Sequence, residues 1–173
     1  MCRCADVQIC KCADEWGIIN KQNCLNLHAN SSSKLKIMTK DIWLNLAVND
    51  IEKSKQFFKS LGFSFNSKRD NEVMACMTIG EKNFVVMLFA ASVFKTFVQT
   101  EITDTKQSSE ILISIDAESR EEVDELASKA AEAGGIVFAK PGENQGWMYG
   151  CGFSDLDGHR WNVLYMDRGK MPK

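Results

Sequence analysis

One order of predicted elements, a strand followed by a helix and three short strands, occurs twice in this sequence. The first copy spans about residues 41–91 and the second about residues 110–167. A repeat on this scale indicates two similar supersecondary units that bury their apolar faces together. The repeat therefore predicts an α+β fold made of two βαβββ modules.

The first copy opens with a strand whose two faces differ in polarity. One face carries Ile42, Leu44, Leu46 and Val48, and the other carries Trp43, Asn45 and Ala47. Asn49 and Glu52 then have the spacing of a capping box, which predicts a helix that ends at Gly62. Strands are predicted around residues 63–66, 73–79 and 84–89.

The second copy repeats these signals. Ile111, Ile113 and Ile115 form the core face of its first strand, with Glu110, Leu112 and Ser114 on the other face. Ser119 and Glu122 predict the start of a helix that ends at Gly134. The two closing hairpins, from Met77 to Leu88 and from Phe153 to Leu164, have equal length, which predicts that they superpose without a gap.

Residues 1–37 differ in composition from the rest of the chain, because they hold five of the seven cysteines. They lack apolar periodicity and end in a Ser-rich run, so we expect a disordered extension or a non-native start, with Met38 as the working start. Metal or redox binding and disulfide formation are the alternatives for this segment. Residues 38–173 are predicted to form the folded domain.

Charge and hydropathy limit the partners of the protein. A formal net charge of −2 without a basic block gives no electrostatic footprint for nucleic acid. No apolar run reaches the roughly 18 residues of a membrane helix, and a secretion signal is not evident. We therefore expect a cytoplasmic protein with reduced cysteines and neither a nucleic-acid nor a membrane partner.

Beyond its repeat, the sequence resembles the vicinal oxygen chelate superfamily, which includes glyoxalase I, extradiol dioxygenases and bleomycin resistance proteins. The resemblance rests on residues 46–54 (LAVNDIEKS), on FF at 57–58 and LGF at 61–63, and on residues 153–161 (FSDLDGHRW). It implies a curved, cup-shaped mixed sheet and a homodimer. One such architecture hosts several reactions, so the resemblance predicts the fold better than the chemistry.

The resemblance also implies four positions for a divalent metal in the cup. They fall at Trp43, Glu110, Asn162 and either Val86 or Met87. Indole has no lone pair to offer, Val and Met are not ligands for hard cations, and Asn is a weak neutral donor. Glu110 is thus the only plausible ligand, and we expect no classical metal site or cofactor, although a divalent metal remains the alternative.

Strand parity places a set of mixed side chains on the face opposite the helix-packing residues. We predict that these residues line the cup and bind a small molecule. They are Trp43, Asn45, Glu110, Leu112, Ser114, Arg160 and Asn162.

Two further residues, His159 and Cys151, have side chains that could be catalytic, but their local sequence argues against this role. His159 has the right chemistry for a general base, but it lies in an Asp-Gly-His turn where local hydrogen bonds are usual, and Asp155 and Asp157 are typical turn formers. Cys151 has no base nearby in sequence. Catalytic residues are therefore not assigned.

The connection between the modules, residues 90–109, has apolar pairs typical of a short helix that covers an apolar surface. It is predicted to cover the cup or to reach a second subunit. Together these features predict a small-molecule-binding protein of the glyoxalase and bleomycin-resistance kind. The alternative is a metal-dependent lyase, isomerase or dioxygenase of the glyoxalase I type, such as a lactoylglutathione lyase.

Overall fold

A computed structural model of the chain describes residues 41–172. The predictions for residues 1–37, and the domain boundary at Met38, lie outside the described residues. No helix in the described part is long and apolar enough to cross a membrane.

The two predicted modules are confirmed. The first module consists of β1 (Trp43–Val48), α1 (Ile51–Ser60), β2 (Ser64–Phe65), β3 (Met74–Ile79) and β4 (Phe84–Ala90). A helix in the connection, α2 (Ala91–Val98), follows β4. The second module consists of β5 (Leu112–Asp116), α3 (Arg120–Glu132), β6 (Ile136–Asn144), β7 (Met148–Ser154) and β8 (Arg160–Met166).

Each module forms one four-stranded mixed sheet with the same strand order. The orders are β1-β4-β3-β2 and β5-β8-β7-β6, so the first and last strands of each module are neighbours. These neighbours are parallel, and the other pairs are antiparallel. In the second module, Leu112 and Ser114 of β5 therefore lie beside Arg160 and Asn162 of β8.

The two closing hairpins do not superpose without a gap. Four residues separate the paired Ile79 and Phe84, whereas five separate the paired Ser154 and Arg160. Side chains alternate between the two faces of a strand. The difference of one residue in the turns therefore places each side chain of β4 on the face opposite to the one that a gapless alignment predicts. Val86 is fully buried in the core, and Met87 pairs with Asn45 on the opposite face.

Aromatic side chains connect the two modules in one core. Phe58 of α1 packs edge-on against Trp161 of β8, with ring centroids 5.2 Å apart. Trp161 also stacks on Phe153 of β7 at 6.2 Å. All three side chains are fully buried. The first helix thus packs against the sheet of the second module as well as its own.

The start of α1 differs from the prediction. Asp50, not Asn49, is the N-cap, and its side chain accepts a hydrogen bond from the backbone N–H of Lys53 at 3.0 Å. Asn49 instead donates its backbone N–H and its Nδ2 to Oδ1 of Asp157, both at 2.8 Å. Ser54 Oγ donates to Oδ2 of the same carboxylate at 2.8 Å. The turn between β7 and β8 is therefore fixed to the start of α1.

Gly158 in this turn is predicted to tolerate no side chain. Its φ is +99°, and an added Cβ would lie 2.9 Å from backbone atoms of Thr105 and Lys106. Gly146 has a φ of +75° but no atom within 4 Å of an added Cβ. Both Gly→Ala changes cost left-handed strain, and only Gly158→Ala adds a clash. We expect Gly158→Ala to lower the free energy of unfolding by about 1–3 kcal/mol more than Gly146→Ala.

Urea unfolding of the two variants measures this difference. Equal losses would show that the segment beside Gly158 moves freely to accommodate a methyl group.

Candidate functional site

A cavity of about 280 Å³ lies beside β1, on the side that carries Asn45 and Ala47. Phe94 and Val98 of α2 and Ile102 and Ile111 of the connection contribute apolar surface to it. Its polar side chains include Asn45, Glu101, Thr105, Glu110 and His159. An apolar lining with a few converging polar groups is typical of sites for small organic molecules.

The connection between the modules forms one wall of this cavity. α2 ends at Gln99, which adopts a left-handed conformation with φ of +53°. The Nζ of Lys95 then pairs with Glu101 at 2.7 Å, and Thr105 Oγ1 donates to the carbonyl oxygen of Asp157. The predicted short helix over an apolar surface is confirmed, since Phe97 of α2 packs on Phe89 of β4, and the Thr105 hydrogen bond holds the second half of the connection to the turn between β7 and β8.

His159 lines the cavity from the turn between β7 and β8 and contacts a buried carboxylate. Its Nδ1 lies 3.0 Å from Oδ2 and 3.2 Å from Oδ1 of Asp155. Asp155 also accepts the backbone N–H groups of Asp157, Gly158 and His159 at 2.9–3.0 Å. Trp161 Nε1 donates to Oδ2 at 3.1 Å. The prediction that Asp155 is a turn former is confirmed, and Asp155 orients the imidazole as well.

The pKa of His159 reflects two opposing influences. Burial lowers it, but the hydrogen bond to Asp155 and the charges of Asp155 and Asp157 together raise the pKa above the usual histidine value. The folded protein therefore holds the proton of His159 more tightly than the unfolded chain does.

This pKa predicts a pH dependence of stability. The contribution of protonated His159 is complete below the unfolded histidine pKa and is lost as the pH rises through the raised folded pKa. We expect the difference in free energy of unfolding between the wild type and His159→Gln to shrink between about pH 6 and pH 9. Urea titrations across this range measure it, and a difference that grows with pH would contradict the assignment.

The structure brings only two of the predicted ligand-binding residues to the cavity, Asn45 and Glu110. Trp43 on β1 and Leu112 on β5 are largely exposed and lie outside the lining. The guanidinium of Arg160 lies over the ring of Phe138 at 4.5 Å, and Asn162 Nδ2 donates to Ser114 Oγ at 3.4 Å. β5 begins at Leu112, so Glu110 precedes the strand in which it was predicted.

Sequence reasoning missed the contributions of Phe94, Val98 and Thr105. The apolar pairs in the connection indicated that it covers something, but not which side chains face the cavity. The sequence indicated His159 as a turn residue with the chemistry of a general base, but not its place in the lining, which depends on contacts between segments far apart in sequence.

The donors at the positions implied for a metal do not fit a divalent ion. Met87 and not Val86 lies on the face of Asn45, and neither thioether nor indole is a ligand for a hard cation. Among residues 41–172, no three or more His, Cys, Asp or Glu side chains are grouped as metal ligands. Glu110 alone offers a carboxylate among the implied positions.

Cys151 is unsuited to nucleophilic chemistry. Its thiol is buried and lies 3.8 Å from the carbonyl oxygen of Val123. Burial, with a smaller contribution from Asp124, raises the pKa of Cys151 to about 11. The thiolate is therefore scarce at neutral pH.

A larger groove of about 770 Å³ lies near the turn between β3 and β4. Glu81, Lys82, Asp116, Glu118 and Glu122 contribute charged groups to it. No residue of the predicted ligand-binding set lines this groove. The smaller cavity is the better candidate, because it combines apolar walls with His159 and with two of the predicted residues.

Comparisons with known proteins show which proteins the chain is similar to. Residues 40–80 match the family model described as bleomycin resistance protein-like N-terminal. A hypothetical protein from S. aureus is 40% identical, with coverage of 73% of this chain and 94% of that chain and a TM-score of 0.66. No curated protein matches the chain.

Two more distant structures share the fold. A glyoxalase/bleomycin resistance protein/dioxygenase family enzyme from Burkholderia phytofirmans PsJN is 17% identical, covering 70% of this chain and 94% of its own, with a TM-score of 0.61. A glyoxalase-related enzyme from Fulvimarina pelagi is 17% identical, covering 73% and 88%, with a TM-score of 0.64. The described residues therefore have the fold of the glyoxalase/bleomycin resistance proteins, and residues 40–80 match the bleomycin resistance protein-like model.

Proposed function

We propose that the protein binds a small organic molecule in the cavity beside β1, without a classical metal site. The observation that carries the proposal is the cavity itself, which combines apolar walls with Asn45, Glu110 and His159. Its volume of about 280 Å³ equals that of roughly nine water molecules in the liquid. The ligand is accordingly compact.

The charges in the lining indicate the polarity of the ligand. Two carboxylates, Glu101 and Glu110, line the cavity. Glu101 is paired with Lys95, whereas Glu110 has no ion-pair partner among the described residues. An anionic ligand would be repelled by Glu110. The site favours a molecule with an apolar body and either a positive charge or a hydrogen-bond donor.

We also propose that the protein works as a homodimer in the cytoplasm. Ile42, Trp43 and Leu112 are each more than half exposed although they are large and apolar. β1 and β5 are edge strands, and exposed apolar side chains at open sheet edges favour association with a second copy. Light scattering coupled to gel filtration of the full chain tests the dimer, and a monomer at micromolar concentration would contradict it.

Thermal unfolding of the full chain tests the binding proposal. A ligand that binds only the folded state raises the melting temperature. We expect compact aromatic and cationic molecules to raise it in the presence of a chelator. A separate titration uses Zn²⁺, Ni²⁺, Mn²⁺ and Fe²⁺, with Glu110→Ala as the matched variant.

The metal titration can give a result that contradicts the binding proposal. If a metal raises the melting temperature of the wild type, and Glu110→Ala abolishes that rise, the cavity holds a metal and the proposal is wrong. The metal-dependent lyase, isomerase or dioxygenase would then become the better interpretation. Absence of any organic ligand effect would also contradict the proposal.

A further inference from the structure

We propose that Nε2 of His159 is the hydrogen-bond acceptor that selects the ligand, and that the cavity prefers uncharged hydroxyl compounds with an apolar body. This inference rests on the proposed function and adds to it the chemical class of the ligand and the residue that recognises it.

The first step is the tautomer of His159. Both oxygens of Asp155 lie within 3.2 Å of Nδ1. A carboxylate accepts hydrogen bonds only, so Nδ1 carries the proton. In the neutral ring the lone pair then lies on Nε2. The carboxylate of Asp155 is held in turn by three backbone N–H groups and Trp161, so the ring orientation is fixed.

The second step is the access of Nε2 to the cavity. The His159 side chain is only 6% exposed, yet it lines the cavity. Within the described residues, every fully buried side-chain nitrogen or oxygen has a hydrogen-bond partner. Nε2 has no such partner in that part of the chain, so it is not fully buried, and we infer that it faces the cavity that His159 lines. A ligand atom can reach the lone pair there.

The third step is the choice of a neutral hydroxyl. The carboxylates of Asp155 and Asp157 lie in the same turn as His159, and Glu101 and Glu110 line the same cavity. This negative surrounding disfavours an anionic ligand. A hydroxyl donates to Nε2 without the desolvation cost of a buried charge, and its apolar body packs against Phe94 and Val98.

The test uses two probes, cyclohexanol and methoxycyclohexane, in which a methyl group replaces the hydroxyl hydrogen and removes the donor. The full chain, labelled with ¹⁵N-histidine and with methyl labels on Val and Ile, is titrated at a pH high enough for the ¹⁵N resonances of His159 to show the neutral ring. The Val98 and Ile111 methyl resonances report entry into the cavity. The ¹⁵N resonances of His159 report its tautomer and hydrogen bonding, with His28 as the internal reference.

We expect the Nδ1-protonated tautomer before any probe is added. We also expect cyclohexanol to bind about fivefold more tightly than methoxycyclohexane and to shift Nε2 while methoxycyclohexane does not. An Nε2-protonated tautomer overturns the inference. Methyl shifts with equal affinities and an unmoved Nε2 also overturn it, but they leave the proposed function standing. Unmoved methyl resonances at millimolar concentrations of both probes contradict the proposed function, and the inference with it.

Discussion

Replacing Asp155 by Ala is expected to lower the free energy of unfolding by about 3–5 kcal/mol. Asp155 is buried and accepts hydrogen bonds from three backbone N–H groups, Trp161 Nε1 and His159 Nδ1. Alanine leaves these donors without a partner in a site that water cannot fill fully. Urea unfolding at neutral pH measures the loss.

Asp167→Ala is the matched control for this variant. Asp167 also accepts a turn N–H, from Gly169, and pairs with Lys170, but it lies at the surface. We expect a much smaller loss there, because solvent screens an exposed ion pair. Comparable losses in the two variants would show that the turn between β7 and β8 is not organised by Asp155.

Phe58→Ala is expected to cost about 3–5 kcal/mol of unfolding free energy. Phe58 is fully buried and packs against Phe57 at 5.1 Å, Trp161 at 5.2 Å and Phe63 at 5.9 Å. Its removal leaves a cavity at the point where the two modules meet, and rigid aromatic neighbours close such a space poorly.

Phe97→Ala provides the comparison for Phe58→Ala. Phe97 packs on Phe89 at 5.2 Å but is 61% exposed. We expect its loss to cost about 1 kcal/mol or less in urea unfolding. A small effect of Phe58→Ala would mean that the modules are held together by other contacts.

The fold was predictable because strand alternation and helix capping act locally. The alternation in β1 separates Leu46 and Val48, which are buried, from Trp43 and Asn45 on the other face. The register of β4 was not predictable to one residue, since it depends on the number of residues in each hairpin turn. The N-cap was misassigned because Asn49 has a partner, Asp157, 108 residues away.

The residues of the candidate site were predictable only where the alternation of side chains along a strand determines which face each residue occupies. Parity placed Asn45 correctly, and Glu110 reaches the same cavity from just outside its predicted strand. The roles of Phe94, Val98 and His159 arise where the connection, β1 and the turn between β7 and β8 meet. Such contacts depend on tertiary packing, and a local sequence pattern does not predict tertiary packing.

The most direct test of the account is the dissociation constant of the tightest-binding screened compound for the wild type and for Ala47→Leu. Ala47 lies on the cavity side of β1, and leucine there fills part of the space. Ala139→Leu, at an exposed strand position outside the lining, is the control. The account predicts at least about tenfold weaker binding for Ala47→Leu and unchanged binding for Ala139→Leu. Equal affinities in all three proteins would contradict it.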